Sequence, residues 1–157
     1  MSASDHTTDN TGRDRLSELL AHYALSHQHP TNEAIHCVAV PAIMLTLLGL
    51  LYEVHPLVFA AFMLASLIYY LRLSMRVLML MGLWSLALTA LIVLMGEARL
   101  VICLSVFVIA WLAQFVGHKI EGRKPSFFED IQYLWVGPLF VADVLLRARG
   151  WRWRKEL

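Results

Sequence analysis

An all-α integral membrane protein is the fold class this sequence predicts: a four-span helical bundle with an amphipathic helix before it and a re-entrant or interfacial helix pair after it. Two observations carry that reading. Of 157 residues, 59% are hydrophobic and only 16% charged, against about 25% charged in an ordinary soluble domain. The apolar residues also fall into long runs broken by short polar turns, and the mean hydropathy is +0.61. The formal charge of +1 points to no class of partner, and no nucleic-acid signature is present.

Residues 1–12 are polar and rich in Ser, Thr and Asp, a composition expected to stay disordered because it cannot bury enough apolar surface to offset ordering entropy. They lack the basic start of a signal peptide. From Arg13 to Ser26, Leu16, Leu19, Leu20, Tyr23 and Ala24 recur at helical spacing opposite Arg13, Asp14, Arg15 and Glu18. This is an amphipathic helix, expected at the membrane surface or against the bundle. Residues 13–157 then read as a single membrane domain. Its spans are expected at about 34–52, 57–71, 77–95 and 100–117, each near the length needed to cross a ~30 Å hydrocarbon core. Pro41 is expected to kink the first. The second is short unless Tyr69, Tyr70 and a snorkelling Arg72 extend it. Gly96 to Arg99 makes a tight connection between the third and fourth.

The 53–56 turn has no Lys or Arg, whereas Arg13 and Arg15 precede the first span and Arg72 and Arg76 follow the second. The positive-inside rule therefore places both ends of the four-span bundle in the cytoplasm. Lys119, Arg123 and Lys124 fit the same side. A last apolar run, 131–146, is interrupted by Gly137-Pro138, carries Asp143 and precedes Arg147, Arg149, Arg152, Arg154 and Lys155. Crossing would put these charges outside, so the run is expected to re-enter or lie at the interface, with Trp151 and Trp153 as anchors. Cys37 and Cys103 have no CxxC spacing and read as small buried residues.

Two motifs carry the chemistry. In His27-Gln-His29-Pro30-Thr-Asn32-x3-His36, Pro30 must end any helix that includes His27, and Thr31 or Asn32 can cap a new one. On one unbroken helix His27 and His36 would lie about half a turn out of phase; with the break, both can face one point. Asn32 and His36 share a face, which suits Asn32 as a hydrogen-bond partner supporting an imidazole. In the second motif Gln114, His118 and Glu121 stand at i, i+4 and i+7 on one helix face, and histidine with a carboxylate one turn away can meet a single ion. Four crossings bring His27, His36 and His118 to the same side of the membrane. Glu121 either ligates, pairs with Arg123 or Lys124, or sits in solvent. His22 reads as a surface residue and His55 lies on the opposite side of the membrane, while His29, like Glu121 or a water, can complete the coordination sphere.

Together the two histidine motifs, with Pro41 and Val136-Gly137-Pro138, resemble the Mpo1-like family of small multi-span membrane proteins over roughly residues 13–147. The resemblance implies a dioxygenase that uses ferrous iron, Fe(2+), and O2 to α-oxidise 2-hydroxy fatty acids, with loss of one carbon. It implies iron ligation by His27, His36 and His118. Glu121 is an expected further ligand, and Asn32 and Gln114 are expected to support the ligands. Arg123 and Lys124 are candidates to steer the substrate carboxylate or, alternatively, simple topology charges. Three histidines and a water would also suit zinc, so a zinc-dependent membrane hydrolase and a non-catalytic scaffold with structural histidines stay open. The short loops lead to the expectation of a bacterial inner membrane with the metal site on its cytoplasmic side.

Overall fold

Four helices in the computed structural model are long and apolar enough to cross a membrane; the structure describes residues 5–25, 27–122 and 133–150, with side chains from residue 15 onward. Helix α1 is Asp5–Leu25, α2 Pro30–Val54, α3 Pro56–Leu73, α4 Met75–Leu94, α5 Arg99–Glu121 and α6 Val136–Ala148, with a single 3₁₀ turn at Gly96–Ala98 before α5. Many large apolar side chains point outward on the spans, among them Val38, Leu64, Met79, Leu83, Leu94, Val101 and Ile109. Such a surface is stable only with hydrocarbon as its solvent. Hydroxyls inside the spans are satisfied within their own helices: Thr46 Oγ1 donates to Ala42 O, Ser66 Oγ to Phe62 O and Thr89 Oγ1 to Ser85 O, each at 2.8 Å.

The break at Pro30 is where the sequence places it, but the cap differs. Pro30 is the first residue of α2, and His29 in extended conformation is its N-cap, with Nδ1 accepting from Thr31 N at 3.1 Å. Neither Thr31 nor Asn32 caps. Proline tolerates the first helical position because its missing N–H would have no helical acceptor there. The same device recurs at the other end of α2, where His55 caps α3 ahead of Pro56 and its Nδ1 accepts from Leu57 N. Pro41 lies inside α2.

Further expectations need correcting. Helix α1 runs from Asp5 to Leu25 and so takes in part of the polar stretch 1–12. Once a helix is nucleated each added residue gains a hydrogen bond, and no proline interrupts the chain before Pro30. Of the two places anticipated for this helix, it takes the one against the bundle: Leu16, Leu20 and Tyr23 are buried with Tyr70 and Leu73 of α3, Val77 and Met81 of α4, and Val136, Leu139 and Phe140 of α6. Gly137-Pro138 opens α6 and does not interrupt it, since the first turn of a helix has no acceptor for the lost N–H. At 13 residues, about 20 Å, α6 is shorter than the hydrocarbon core, and Val136 to Asp143 are all buried. Asp143, the acid in that run, pairs with Arg147 one turn on. Any helix paired with α6, and the anchors Trp151 and Trp153, lie outside the described residues.

The position of the site is set by α2 and α5, which run antiparallel and share the most extensive helix contact. Ala39 and Ile43 pack on Ala110 along this seam. On another face of α2, Met44 and Leu48 meet Leu88 and Ile92 of α4. At the end away from the histidines, Arg99 pairs with Glu53 and lies 4.5 Å over the Tyr52 ring. A Cβ at Gly49 would collide with Cys103 Sγ, so the seam requires a residue without one.

Gly49→Ala is therefore expected to destabilise the protein by about 1–3 kcal/mol through overpacking. Cys103→Ala in the same chain should restore most of that loss by removing the clashing sulfur. Thermal unfolding of the two single variants and the double variant in detergent measures this; strictly additive losses would contradict it.

Candidate metal centre

Each of the three histidines of the two motifs arrives on a different segment. Beyond the end of α1, His27 N still donates to Ala24 O at 3.2 Å, which holds the residue against the last turn until Pro30 turns the chain away. His36 stands in the second turn of α2, and His118 in the last turn of α5. The antiparallel seam brings the start of α2 and the end of α5 to one level.

There the rings converge. Centroids lie 4.2 Å apart for His27 and His36, 5.1 Å for His36 and His118, and 5.6 Å for His27 and His118. One nitrogen from each ring falls within 4.8 Å of the other two. Two imidazole nitrogens on one ion at 2.0–2.1 Å stand at most about 4.2 Å apart, so the rings need close only slightly around a cation. All three are buried: His36 is 0% exposed, His27 and His118 4%.

Backbone carbonyls fix which nitrogen faces the centre. His27 Nδ1 lies 2.8 Å from Tyr23 O and His36 Nδ1 3.0 Å from Asn32 O. A carbonyl oxygen can only accept, so both Nδ1 atoms carry the proton and Nε2 is the lone-pair nitrogen of the neutral ring. His36 Nε2 is buried with no hydrogen-bond partner among the described residues. An imidazole oriented by a bond at Nδ1 and bare at Nε2 is the usual form of a histidine metal ligand. Tyr23 adds a flat wall, its ring stacked on His27 at 4.2 Å.

Glu121, expected as a further ligand, has its carboxylate oxygens occupied by hydrogen bonds. Its Oε1 accepts from Gln28 N at 3.0 Å, and its Oε2 accepts from His29 N at 2.8 Å and from Asn32 Nδ2 at 3.1 Å. Among the described residues, the group that could hold a metal comprises the three histidines without it. The reason is local: two backbone N–H groups between α1 and α2 have no helical acceptor, and a carboxylate answers both with charge-assisted bonds. Glu121 thus ties the end of α5 to the loop that carries His27.

It is the backbone carbonyl of Asn32 that accepts from His36 Nδ1; the Asn32 side chain is 0% exposed and bonds Glu121. A Cβ on Gly117 would overlap Asn32 Oδ1, so glycine beside His118 lets the two helices close. That requirement went unread, although a glycine inside an apolar helix is a signal of close packing. Tyr23, four residues before His27, also went unassigned. Gln114 is buried and lines a cavity with Tyr23, Val40, Ile43, Met44, Trp111, Tyr133, Leu134 and Gly137. Arg123 and Lys124 lie outside the described residues. His22 Nδ1 is 2.7 Å from Tyr133 Oη, and His29 and His55 are helix caps.

The donor set fits a metal ion. Three imidazoles suit iron, zinc or copper and leave positions open for other ligands. The profile of a family described as 2-hydroxy-palmitic acid dioxygenase Mpo1-like matches residues 14–149, which include all three histidines. No curated protein and no solved structure matches the chain.

Replacing Glu121 tests its part. Glu121→Ala should weaken metal binding by about 10–100-fold, the usual size of an outer-shell loss, and Glu121→Gln should recover part of it by keeping one acceptor oxygen. Metal titration of the purified variants measures this. A loss as complete as that from removing a histidine would instead make Glu121 a ligand.

Proposed function

The chain belongs to the Mpo1-like family, and on that premise we propose that it is an iron-dependent dioxygenase of 2-hydroxy fatty acids, cleaving between C1 and C2 and shortening the chain by one carbon. The observation that carries this reading is the convergence of His27, His36 and His118, with a nitrogen of each within 4.8 Å of the others in a buried pocket. These three residues would hold the iron. Ferrous iron supplies the one-electron chemistry through which dioxygen reacts with a closed-shell organic substrate.

The protein's own contribution is orientation, exclusion of water and access from lipid. Carbonyls of Tyr23 and Asn32 hold two of the imidazoles with Nε2 inward. The Tyr23 and Phe140 rings pack on His27 at 4.2 and 5.5 Å, shielding the centre so that polar interactions inside it are strengthened. The site lies at the ends of two apolar helices long enough to span, which suits a substrate whose tail stays in hydrocarbon while its polar head reaches the histidines. Arg123 and Lys124 are proposed to attract the substrate carboxylate.

A zinc hydrolase is the second reading, and the placement of Glu121 favours it over a structural role for the histidines: three histidines and a water without a carboxylate are a familiar catalytic zinc set. Metal analysis of protein purified without oxygen separates the two. The expected result is about one iron per chain, lost in His36→Ala. Oxygen uptake should follow addition of 2-hydroxypalmitate and not palmitate. Stoichiometric zinc with no oxygen uptake would replace the dioxygenase by the hydrolase, and a folded His36→Ala protein that keeps its metal would refute the site.

A further inference from the structure

The cavity lined by Gln114 lies about one helical turn from the histidine cluster along α2 and α5, and none of the three histidines lines it. Three of its lining residues stand four positions from a histidine: Tyr23 from His27, Val40 from His36 and Gln114 from His118. On the antiparallel α2 and α5, Val40 and Gln114 are both displaced towards the middle of the span, by about 6 Å. Val40, Ile43, Met44 and Leu134 make its walls apolar, and its volume is about 50 Å³. With roughly 10–15 Å³ needed per water-sized group, that is room for a small polar head and the first carbons of a chain. Gln114 is 5% exposed; no hydrogen bond to its carboxamide is found among the described residues, and the side chain borders the cavity. A carboxamide bordering a mostly apolar cavity without a protein partner is placed to hydrogen-bond whatever polar group enters that cavity.

Resting on the substrate reading above, we infer that Gln114 is a specificity-determining residue: it hydrogen-bonds the 2-hydroxyl of a 2-hydroxy fatty acid whose carboxyl end sits at the three histidines and whose first methylenes fill this cavity. A carboxamide offers both a donor and an acceptor, and a hydroxyl can answer either. An unsubstituted fatty acid would press a methylene against the amide and leave it unsatisfied, the situation by which a polar site rejects an analogue lacking the matching group.

Calorimetric titration of the detergent-purified, metal-loaded protein with 2-hydroxypalmitate and with palmitate, without oxygen, tests this apart from turnover. The wild-type chain is expected to prefer the hydroxy acid by about tenfold, the scale of one hydrogen bond. Gln114→Met should abolish the preference while keeping palmitate affinity and the full metal content. Val40→Phe, which fills the cavity from α2, should weaken both acids alike. A Gln114→Met protein that keeps the wild-type preference, or a Val40→Phe protein that binds both acids normally, overturns the inference while the dioxygenase reading stands. A wild-type protein without preference defeats the substrate reading and this inference with it. Should Gln114→Met fail to fold, Gln114→Asn withdraws the amide by one methylene, and an unchanged preference there is equally fatal.

Discussion

At the end of the bundle where α2 begins and α5 finishes, a carboxylate and a glycine set the distance between two helices. Glu121 gathers Gln28 N, His29 N and Asn32 Nδ2, and Gly117 leaves space for the Asn32 side chain. Because His118 adjoins Gly117 and His36 bonds the Asn32 carbonyl, this knot fixes two of the three imidazoles relative to each other. The third follows, since His27 is carried by the loop that Glu121 holds. At the opposite end of the seam Arg99 joins Glu53 and Tyr52, so both ends of the α2–α5 pair are tied by charge while its middle is packed with apolar residues.

The membrane gives that arrangement its consequence. Between spans, polar atoms have no water to turn to, and Thr46, Ser66 and Thr89 answer this by bonding back to their own helices. His36 does the same through Nδ1, and its Nε2 is left without a hydrogen-bond partner among the described residues. Imidazoles collected at one depth on three segments are a placement that packing alone does not call for, and a shared cation is the simplest physical reason for it.

How much of this was legible in the sequence depends on the kind of signal. Apolar runs disclosed four spans, because hydrocarbon thickness imposes a length that composition reveals directly. Pro30 disclosed the turn that brings His27 back towards His36, because a proline excludes a continuous helix whatever surrounds it. The parity of crossings placed His118 beside them. What the sequence did not disclose depends on contacts between distant segments. Glu121 looks like a ligand from its spacing to His118, yet Gln28 N and His29 N, over ninety residues away, claim its oxygens. Asn32 supports His36 through a backbone atom, which no side-chain pattern encodes. Gly137-Pro138 reads as a helix breaker when only the apolar run is considered and as a helix start once α6 is seen to begin at Val136.

The central claim, that His27, His36 and His118 grip one ion, is tested most directly by anomalous diffraction recorded at the iron edge from crystals grown with ferrous iron in the absence of oxygen. The account predicts a single strong peak among the three rings, within bonding distance of an imidazole nitrogen of each, with the Glu121 oxygens turned away towards Gln28 and His29. A strong peak elsewhere in the molecule, or one touching fewer than two of these imidazoles, would contradict it.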